Sequence, residues 1–314
     1  MLVVNNKKKL LTDGALIAIP ILWGGGFIAV KLSLDAGLSP GLVNLLRFSI
    51  ASVFMLPFCL PGLRRAGRRE WLYGFLAGFL LIAGFIFQTV GQKYTTPSNN
   101  AFLTTLNVII VPFAAWAFTK KRPQKRHIVS AFVSLAGIFL LTYSLSQGLR
   151  FRVGDMLSVM CSVFFACHIA FLGKISGLCD IRTLTFIQML TGAVFSLGHF
   201  LLLDRASAVP ADMGRGLWPV LYLGATACVC FFLQTFAQKH THAAKAAVFF
   251  STEALFGSLF SVLLSLEPMT VNLVAGGAVM FIAVLLTELP GKRASEKRVR
   301  ASTGCEALPQ KSES

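Results

Sequence analysis

The chain has 314 residues, of which 55% are hydrophobic and 13% are charged, and its formal net charge is +16. Soluble domains carry about 25% charged residues, so the composition excludes an ordinary water-soluble domain. The apolar residues come in runs of about 20, which is the length that an α-helix needs to cross the hydrocarbon core of a bilayer. Strands of a membrane barrel would alternate instead. The sequence therefore predicts an all-α integral membrane protein.

Ten hydrophobic runs are predicted to be transmembrane helices. In chain order they are residues 14–34, 40–60, 71–91, 97–118, 127–145, 154–173, 182–203, 217–237, 243–265 and 269–288. The first run is too long for the apolar core of a signal peptide, and no small-residue cleavage site followed by a soluble domain comes after it. We therefore expect it to stay as a membrane helix between a tail of residues 1–13 and the spans that follow. Residues 289–314 form a second, basic tail.

The basic residues follow a topological pattern. If the N-terminus is cytoplasmic, about 22 of the Lys and Arg residues fall on the cytoplasmic side and about six on the other side. This ratio fits the positive-inside rule. The charge therefore predicts a multi-pass protein of an inner or plasma membrane with both termini in the cytoplasm, and it gives no reason to expect a nucleic-acid partner.

An internal repeat divides the chain into two halves. The tract at residues 88–95, QTVGQKYT, returns at residues 234–241 as QTFAQKHT, 146 positions later, and residues 47–54 lie over residues 188–195. Each half, 14–145 and 154–288, holds five predicted spans. Because five is odd, the second copy must enter the membrane from the opposite side. Inverted repeats of this kind are common in secondary transporters, whose substrate site lies near the midplane where the halves meet.

Several short motifs occur in a fixed order along the spans. They are Leu22-Trp23-Gly24 followed by Phe27 and Lys31, then Arg47-Phe48, Tyr94-Thr95-Thr96-Pro97, Ala101, Pro112, Glu253, Glu267-Pro268, Gly276-Gly277 and Leu285-Leu286-Thr287-Glu288. This arrangement resembles the EamA branch of the drug/metabolite transporter superfamily. The resemblance implies a carrier or exporter of small organic metabolites, often amino acids. Ala254 stands where the family usually has proline, and Gly25 where it often has a small polar residue, so the ninth span lacks the usual cause of a kink.

Two polar residues lie at equivalent positions in the middle of predicted spans. Glu253 is near the middle of the ninth span, and Asn107, 146 residues earlier, is in the middle of the fourth. An ionisable group at the bilayer centre costs about 2.5–3.5 kcal/mol, so it needs a partner or a water-filled cavity. We expect both residues to face a central cavity and contact substrate, with Glu253 as a candidate proton site. The alternative is a structural hydrogen bond between helices, worth about 0.6 kcal/mol.

Other polar groups in the spans are also candidate substrate contacts. Arg47 lies roughly 10 Å inside the second span, where it could attract an anionic substrate group, neutralise Glu253 or snorkel outward. Glutamines within or beside the spans are candidate cavity donors, with hydrogen bonding between helices as the alternative. These glutamines are Gln88, Gln92, Gln188 and Gln234.

Aromatic residues and a histidine complete the candidate site. Trp23 and Phe27, one helical turn apart, could form an aromatic wall of the substrate path, although ordinary helix packing uses the same residues. His168 is a candidate proton relay, but a lone histidine in an apolar span is more often a satisfied core group.

The sequence gives no sign of a catalytic or cofactor-dependent function. It has no P-loop, H-E-x-x-H or G-x-S-x-G pattern, and its seven cysteines form no C-x-x-C pair. Catalytic residues, a metal site and a cofactor are therefore not expected. The predicted function is secondary transport by alternating access, and the alternative is a flippase for a lipid-linked sugar or another amphiphile. The expected partners are a small-molecule substrate, membrane lipid and, as a candidate coupling ion, the proton. Both a monomer and a homodimer are open.

Overall fold

The computed structural model of the chain describes residues 2–95, 97–142, 152–205, 212–264 and 269–288. Within these ranges all regular secondary structure is helical. The first half contributes α1 (Leu2–Gly24), α2 (Gly26–Asp35), α3 (Pro40–Leu63), α4 (Arg68–Tyr94), α5 (Pro97–Thr105), α6 (Asn107–Thr119) and α7 (Lys125–Thr142). The second half contributes α8 (Val153–Ile175), α9 (Ile181–His199), α10 (Met213–His240), α11 (Ala243–Ser251), α12 (Glu253–Leu263) and α13 (Val271–Glu288). A short π-helical segment, Phe200–Asp204, continues α9.

Eight helical segments in the described ranges are long and apolar enough to cross a membrane. They are Lys7–Asp35, Pro40–Leu63, Arg68–Tyr94, Asn100–Thr119, Val153–Ile175, Ile181–Asp204, Met213–His240 and Ala243–Leu263. Each coincides with a predicted span, which confirms the all-α membrane architecture. Val271–Thr287 is a shorter apolar helix, and α7 is described only as far as Thr142. The total of ten spans stays a prediction.

The two predicted tails differ in what the structure describes. Helix α1 begins at Leu2 and runs through the segment 1–13 without a break, because the lysines in that segment are good helix formers even where the apolar run has ended. The tail 289–314, the Glu267-Pro268 pair, Thr96, residues 143–145 and residue 265 lie outside the described residues.

Capping side chains accept hydrogen bonds from the first amide groups of several helices. Ser39 precedes α3 and accepts a hydrogen bond from the Leu42 amide at 3.4 Å, with Pro40 at the first helical position. Asp180 caps α9 by accepting from the Thr183 amide at 2.9 Å. Such caps satisfy amide groups that a helix leaves without an internal partner, and they fix where each helix leaves its loop.

Two helical segments are interrupted at equivalent positions, Leu106 between α5 and α6 and Thr252 between α11 and α12. The hydroxyl of Thr105 donates to the carbonyl four residues earlier at 2.6 Å, and that of Ser251 donates to the carbonyl three residues earlier at 2.7 Å. Back-bonding of this kind bends helices. The interruption at Thr252 is therefore present without a proline at Ala254, and hydroxyl groups accompany it instead of a proline ring.

Glycines allow close contact between the halves. Helix α3 packs on α9, α7 on α13, and α4 on both α8 and α9. A Cβ atom at Gly154 would lie 2.5 Å from the Gly91 carbonyl oxygen and 2.7 Å from the Thr95 amide nitrogen. Small residues at such crossings are the usual means of packing helices in lipid.

The outer faces of the bundle are apolar. Large hydrophobic side chains are exposed all round it, among them Phe58, Phe75, Leu202, Trp218 and Phe281. Soluble monomers rarely expose contiguous apolar patches larger than a few hundred Å². This surface is instead suited to contact with lipid chains.

We expect Gly154→Ala to destabilise the protein by about 1–3 kcal/mol, because the added methyl group would collide with backbone atoms that cannot rotate away. The measurement is the unfolding free energy or melting temperature of the detergent-purified protein. Gly198→Ala is the matched control, since a Cβ at Gly198 meets no atom within 4 Å. Equal stability of the two variants would contradict the tight crossing.

Candidate functional site: a central cavity shared by the two halves

A cavity lies between the two halves, with a volume of about 80 Å³ available to the centres of water molecules. Helices of both halves line it. Eight of the ten candidate site residues predicted from the sequence are among the lining residues: Trp23, Phe27, Arg47, Gln88, Asn107, His168, Gln234 and Glu253. The other two, Gln92 and Gln188, lie outside this lining.

Equivalent hydrogen bonds relate the halves residue by residue. Gln92 Nε2 donates to the Phe27 carbonyl at 2.9 Å, and Gln238 Nε2 donates to the Ile169 carbonyl at 2.9 Å. The glutamines are 146 residues apart, and the two acceptors are 142 residues apart. The first helix of each half therefore aligns with an offset of 142, and the third with an offset of 146.

The second helices of the halves align by the same kind of observation. The Thr89 hydroxyl donates to Asn44 Oδ1 at 3.2 Å, and the hydroxyl groups of Thr235 and Thr185 lie 3.3 Å apart. Thr89 and Thr235 differ by 146, whereas Asn44 and Thr185 differ by 141. Arg47 and Gln188 also differ by 141, so these two residues occupy equivalent positions.

With these offsets, most of the cavity lining falls into pairs of equivalent residues. The pairs are Trp23 and Phe165, Gly26 and His168, Phe27 and Ile169, Leu81 and Ala227, Phe85 and Phe231, Gln88 and Gln234, and Asn107 and Glu253. Phe85 and Phe231 contact each other, with ring centroids 5.9 Å apart. The cavity therefore lies where equivalent parts of the two halves meet.

Arg47 is the cation of this lining. Its side chain is 5% exposed, and its guanidinium carbon lies 4.7 Å from the centroid of the Phe85 ring. Its Nη1 atom has no hydrogen-bond partner among the described residues. Among the residues that the structure describes, no ion pair joins Arg47 to Glu253. The cation is held by an aromatic face and is directed into the cavity region without a fixed counter-ion.

Asn107 and Glu253 begin the helices that follow the two interruptions. The Oδ1 atom of Asn107 is buried and has no partner among the described residues. Glu253 is half-buried and lies in the first turn of α12, where a helix favours negative charge. Both polar groups thus lie at the cavity, each directly after an interruption of its helix.

The cavity glutamines use part of their hydrogen-bonding capacity within the protein. Gln234 donates through Nε2 to Gln238 Oε1 at 3.3 Å, while its own Oε1 atom is buried without a described partner. Gln88 is buried, and its main-chain carbonyl accepts from Asn100 Nδ2 at 2.8 Å. Buried polar atoms are normally paired, so an unpaired acceptor beside a cavity indicates a place for a ligand or water donor.

Gln188 supports His168 from behind the cavity lining. His168 Nε2 and Gln188 Oε1 are 2.8 Å apart, and Gln188 Nε2 donates to the Leu184 carbonyl at 3.2 Å. Because the amide nitrogen of Gln188 is already donating, its oxygen accepts from His168 Nε2–H. This assigns the tautomer from the hydrogen bonds and leaves His168 Nδ1 as an acceptor.

Aromatic rings, Trp23 and Phe27 among them, form much of the remaining wall of the cavity. Trp23 packs against Phe231 and Phe250 with ring centroids 5.4 and 5.5 Å apart. Phe85 and Phe165, 5.0 Å apart, complete the set. The four phenylalanines other than Phe27 were not singled out in the sequence, although the offset of 146 links Phe85 to Phe231 directly.

An apolar helical bundle around a cavity that both halves line, with a few polar groups in it, is the architecture of a polytopic membrane transporter. The model of the EamA-like transporter family matches the chain twice, over residues 10–143 and 152–289. The chain therefore belongs to this family, and it is a multi-pass membrane protein with a two-repeat architecture.

Individual relatives agree with the family. An uncharacterized transporter of Archaeoglobus fulgidus is 30% identical over 285 residues, covering 90% of this chain and 87% of the relative. Another uncharacterized transporter of that organism is 26% identical, and the uncharacterized transporter YyaM of Bacillus subtilis is 24% identical. A solved crystal structure with 16% sequence identity shares the fold, with a TM-score of 0.75 over 93% of this chain and 99% of the other.

We expect a double-mutant cycle between His168 and Gln188 to give a coupling free energy of about 0.6–1.7 kcal/mol, which runs from the mean to the largest value measured for hydrogen bonds between membrane helices. His168→Leu, Gln188→Leu and the double variant would be compared by reversible unfolding in detergent or bicelles. Thr226→Val with Gln188→Leu is the control pair, because no hydrogen bond between them is present. If the effects of the two substitutions were purely additive, the contact between His168 and Gln188 would contribute no coupling free energy.

Proposed function

We propose that the protein is a secondary transporter of small organic metabolites, with amino acids among them, that exposes its central cavity alternately to the two sides of a cell membrane. In this proposal ten spans form two inverted five-helix repeats, and both termini are cytoplasmic. The observation that carries the proposal is a cavity lined by equivalent residues of both halves. Rocking of one half against the other around such a site is the usual mechanism of transporters with inverted repeats.

The polar atoms of the cavity support a small polar substrate. Arg47 Nη1, Asn107 Oδ1 and Gln234 Oε1 are buried without partners among the described residues, although buried polar groups are nearly always paired. A bound solute with both donor and acceptor groups would satisfy them. The aromatic wall would hold the apolar part of the same solute.

Two contacts between the halves are the candidate closures of this cavity in the proposed cycle. Lys245 Nζ lies 3.1 Å from Asp13 Oδ1, and the Thr95 hydroxyl donates to Asp155 Oδ1 at 2.5 Å. Asp13 and Asp155 are 142 residues apart, so they occupy equivalent positions in the two halves, although Asp13 lies within α1 and Asp155 in the first turn of α8. One contact joins α1 to the first turn of α11, and the other joins α8 to the end of α4. Opening one closure while the other stays shut would give alternating access.

Glu253 is the carboxylate through which proton coupling would pass. It lines the cavity, and within the described residues no Lys, Arg or His forms an ion pair with it. A coupled carrier needs a group whose affinity for the proton differs between the two states of the cycle. His168 is the second candidate, because its Nδ1 atom is available as an acceptor.

We expect Glu253→Gln to abolish the part of uptake that depends on a pH gradient, because an amide cannot take up and release a proton in this range. The purified protein would be reconstituted in liposomes, and uptake of a labelled panel of amino acids and metabolites would be measured with and without the gradient. Glu70→Gln is the matched control, since Glu70 caps the exposed start of α4.

The outcomes separate the alternatives. Saturable uptake that loses only its gradient-driven part in Glu253→Gln supports a proton-coupled carrier. Unchanged gradient-driven uptake in that variant rejects Glu253 as the coupling site. Absence of uptake for every member of the panel contradicts small-solute transport and directs attention to the flippase alternative, with lipid-linked sugars as the substrates to test.

We expect a crosslink between positions 13 and 245 to stop transport. Cysteines would replace Asp13 and Lys245 in a background without native cysteines, and a short thiol-specific crosslinker would hold that closure shut. Cysteines at positions 31 and 35 are the control, because Lys31 and Asp35 form an exposed ion pair of 2.8 Å within one helix. Full transport with a complete 13–245 crosslink would contradict the assignment of this contact as a closure.

A further inference from the structure

The two halves of the cavity differ chemically at one set of equivalent positions. In the second half, His168 and Gln188 fill these positions and bond to each other at 2.8 Å. In the first half, the equivalent residues are Gly26 and Arg47, at offsets of 142 and 141. Since the second-half pair is in direct contact, and Gly26 and Arg47 line the same cavity, the repeat indicates that these two residues are neighbours in the first half.

Gly26 leaves open the space that an imidazole ring fills in the other half. A Cβ atom built on Gly26 meets no heavy atom within 4 Å, and Gly26 lines the cavity. The backbone there is helical with a negative φ angle, so backbone conformation does not require glycine. Because Gly26 has no side chain, the first half keeps an open pocket on the Arg47 side of the cavity.

Arg47 gives this pocket its charge. Its side chain is 5% exposed, its Nη1 atom lacks a described partner, and one face of its guanidinium lies on the Phe85 ring. Removing a cation from water without an anion beside it is strongly unfavourable. The aromatic face compensates only in part, so the geometry calls for an anion that is not part of the described chain.

The charge balance of the cavity limits the kind of anion. Arg47 is the only Lys or Arg among the described residues that line it, and Glu253 contributes a carboxylate to the same lining. Arg47 and Glu253 balance each other, so a doubly charged phosphate would add two uncompensated negative charges, whereas a carboxylate adds one, which an ammonium group on the same solute compensates. A carboxylate carries a single charge and matches the planar fork of a guanidinium with two parallel hydrogen bonds.

We infer that Gly26 and Arg47 form a carboxylate subsite, so that substrates carry a carboxylate and bind with it in the first half of the cavity. This inference rests on the proposed transport function and specifies the class of solute that the cavity takes. The donor groups of the solute then face the acceptors of the second half, Gln234 Oε1 and the Glu253 carboxylate. Arg47 is the anchor, and Gly26 determines the available volume.

The test is a binding measurement on the purified full-length protein, with ligand-induced thermal stabilisation as the readout. The probes are acetate against methylammonium, and leucine against 4-methylpentanoate and 3-methylbutylamine. The two leucine analogues lack the amino group and the carboxylate, respectively. We expect the carboxylates to bind and the two amines to bind on the order of 30-fold more weakly, as for loss of one partner of a buried charged pair.

Arg47→Gln separates a binding role from a structural one. The variant should lose carboxylate binding on the order of 30-fold, and its unfolding temperature without ligand should be unchanged or higher, because an unpaired buried charge has been removed. A lower unfolding temperature with intact carboxylate binding would make Arg47 a structural residue and overturn the subsite.

Gly26→Ala tests the pocket volume. The added methyl group should weaken binding of carboxylates about 10-fold or more, as one extra carbon does in a fitted pocket, without reducing stability. Gly198→Ala adds the same group where it also meets no atom within 4 Å but away from the cavity, and it should bind as the wild type does. Equal binding by both variants would overturn the role of Gly26.

The binding readout keeps this inference separate from the proposed function. Carboxylate binding that depends on Arg47, without uptake in liposomes, would reject transport and retain the subsite. Uptake that is equal for leucine and 3-methylbutylamine would retain transport and overturn the subsite. Failure of every carboxylate, acetate included, to bind would also overturn it.

Discussion

The structure depends on one constraint: inside hydrocarbon there is no water to satisfy backbone amides and carbonyls, so the chain must satisfy them itself. Unbroken helices do this at the lipid-facing surface. The α-helical hydrogen-bond pattern is interrupted at Leu106 and Thr252, and each of these residues lies directly before a polar residue of the cavity lining. The hydroxyl groups of Thr105 and Ser251 donate to carbonyls of the preceding turn there. These two interruptions of the helical pattern thus lie next to the site.

Repetition of the fold decides where that site lies. Hydrogen bonds such as Gln92 to Phe27 and Gln238 to Ile169 recur with constant offsets, so each half is built to the same internal pattern. Two such halves packed closely through glycines leave their equivalent polar residues on a shared wall. The cavity is therefore a consequence of the repeat, and its chemistry depends on which residues occupy each equivalent pair.

Much of this could be predicted from the sequence, and the parts that could not have physical reasons. Glu253 and Arg47 stand out because charge is rare in an apolar run. Phe85 and Phe165 do not, because the chain has 28 phenylalanines and a ring facing a cavity has the same sequence pattern as one facing lipid. The sequence leaves Gln188 open between a cavity donor and a hydrogen bond between helices, and spacing alone does not reveal that its oxygen accepts from His168. The interruption at Thr252 has no signal in the sequence, because no proline marks it and the back-bonding of Ser251 that accompanies it has no distinctive pattern.

The differences between the halves matter for function as much as their likeness. If every equivalent pair were identical, a polar solute would find the same partners in either orientation. The first half has Arg47 where the second half has Gln188, and the second half has Glu253 where the first half has Asn107. The first half therefore contributes a cation to the cavity, and the second half contributes an anion. In the proposed binding mode a solute with one carboxylate is held in a single orientation, and in the proposed transport cycle movement of the halves changes the side from which the cavity is reached without turning the solute around. In this view the repeat provides the movement, and its divergence at a few positions provides the selectivity.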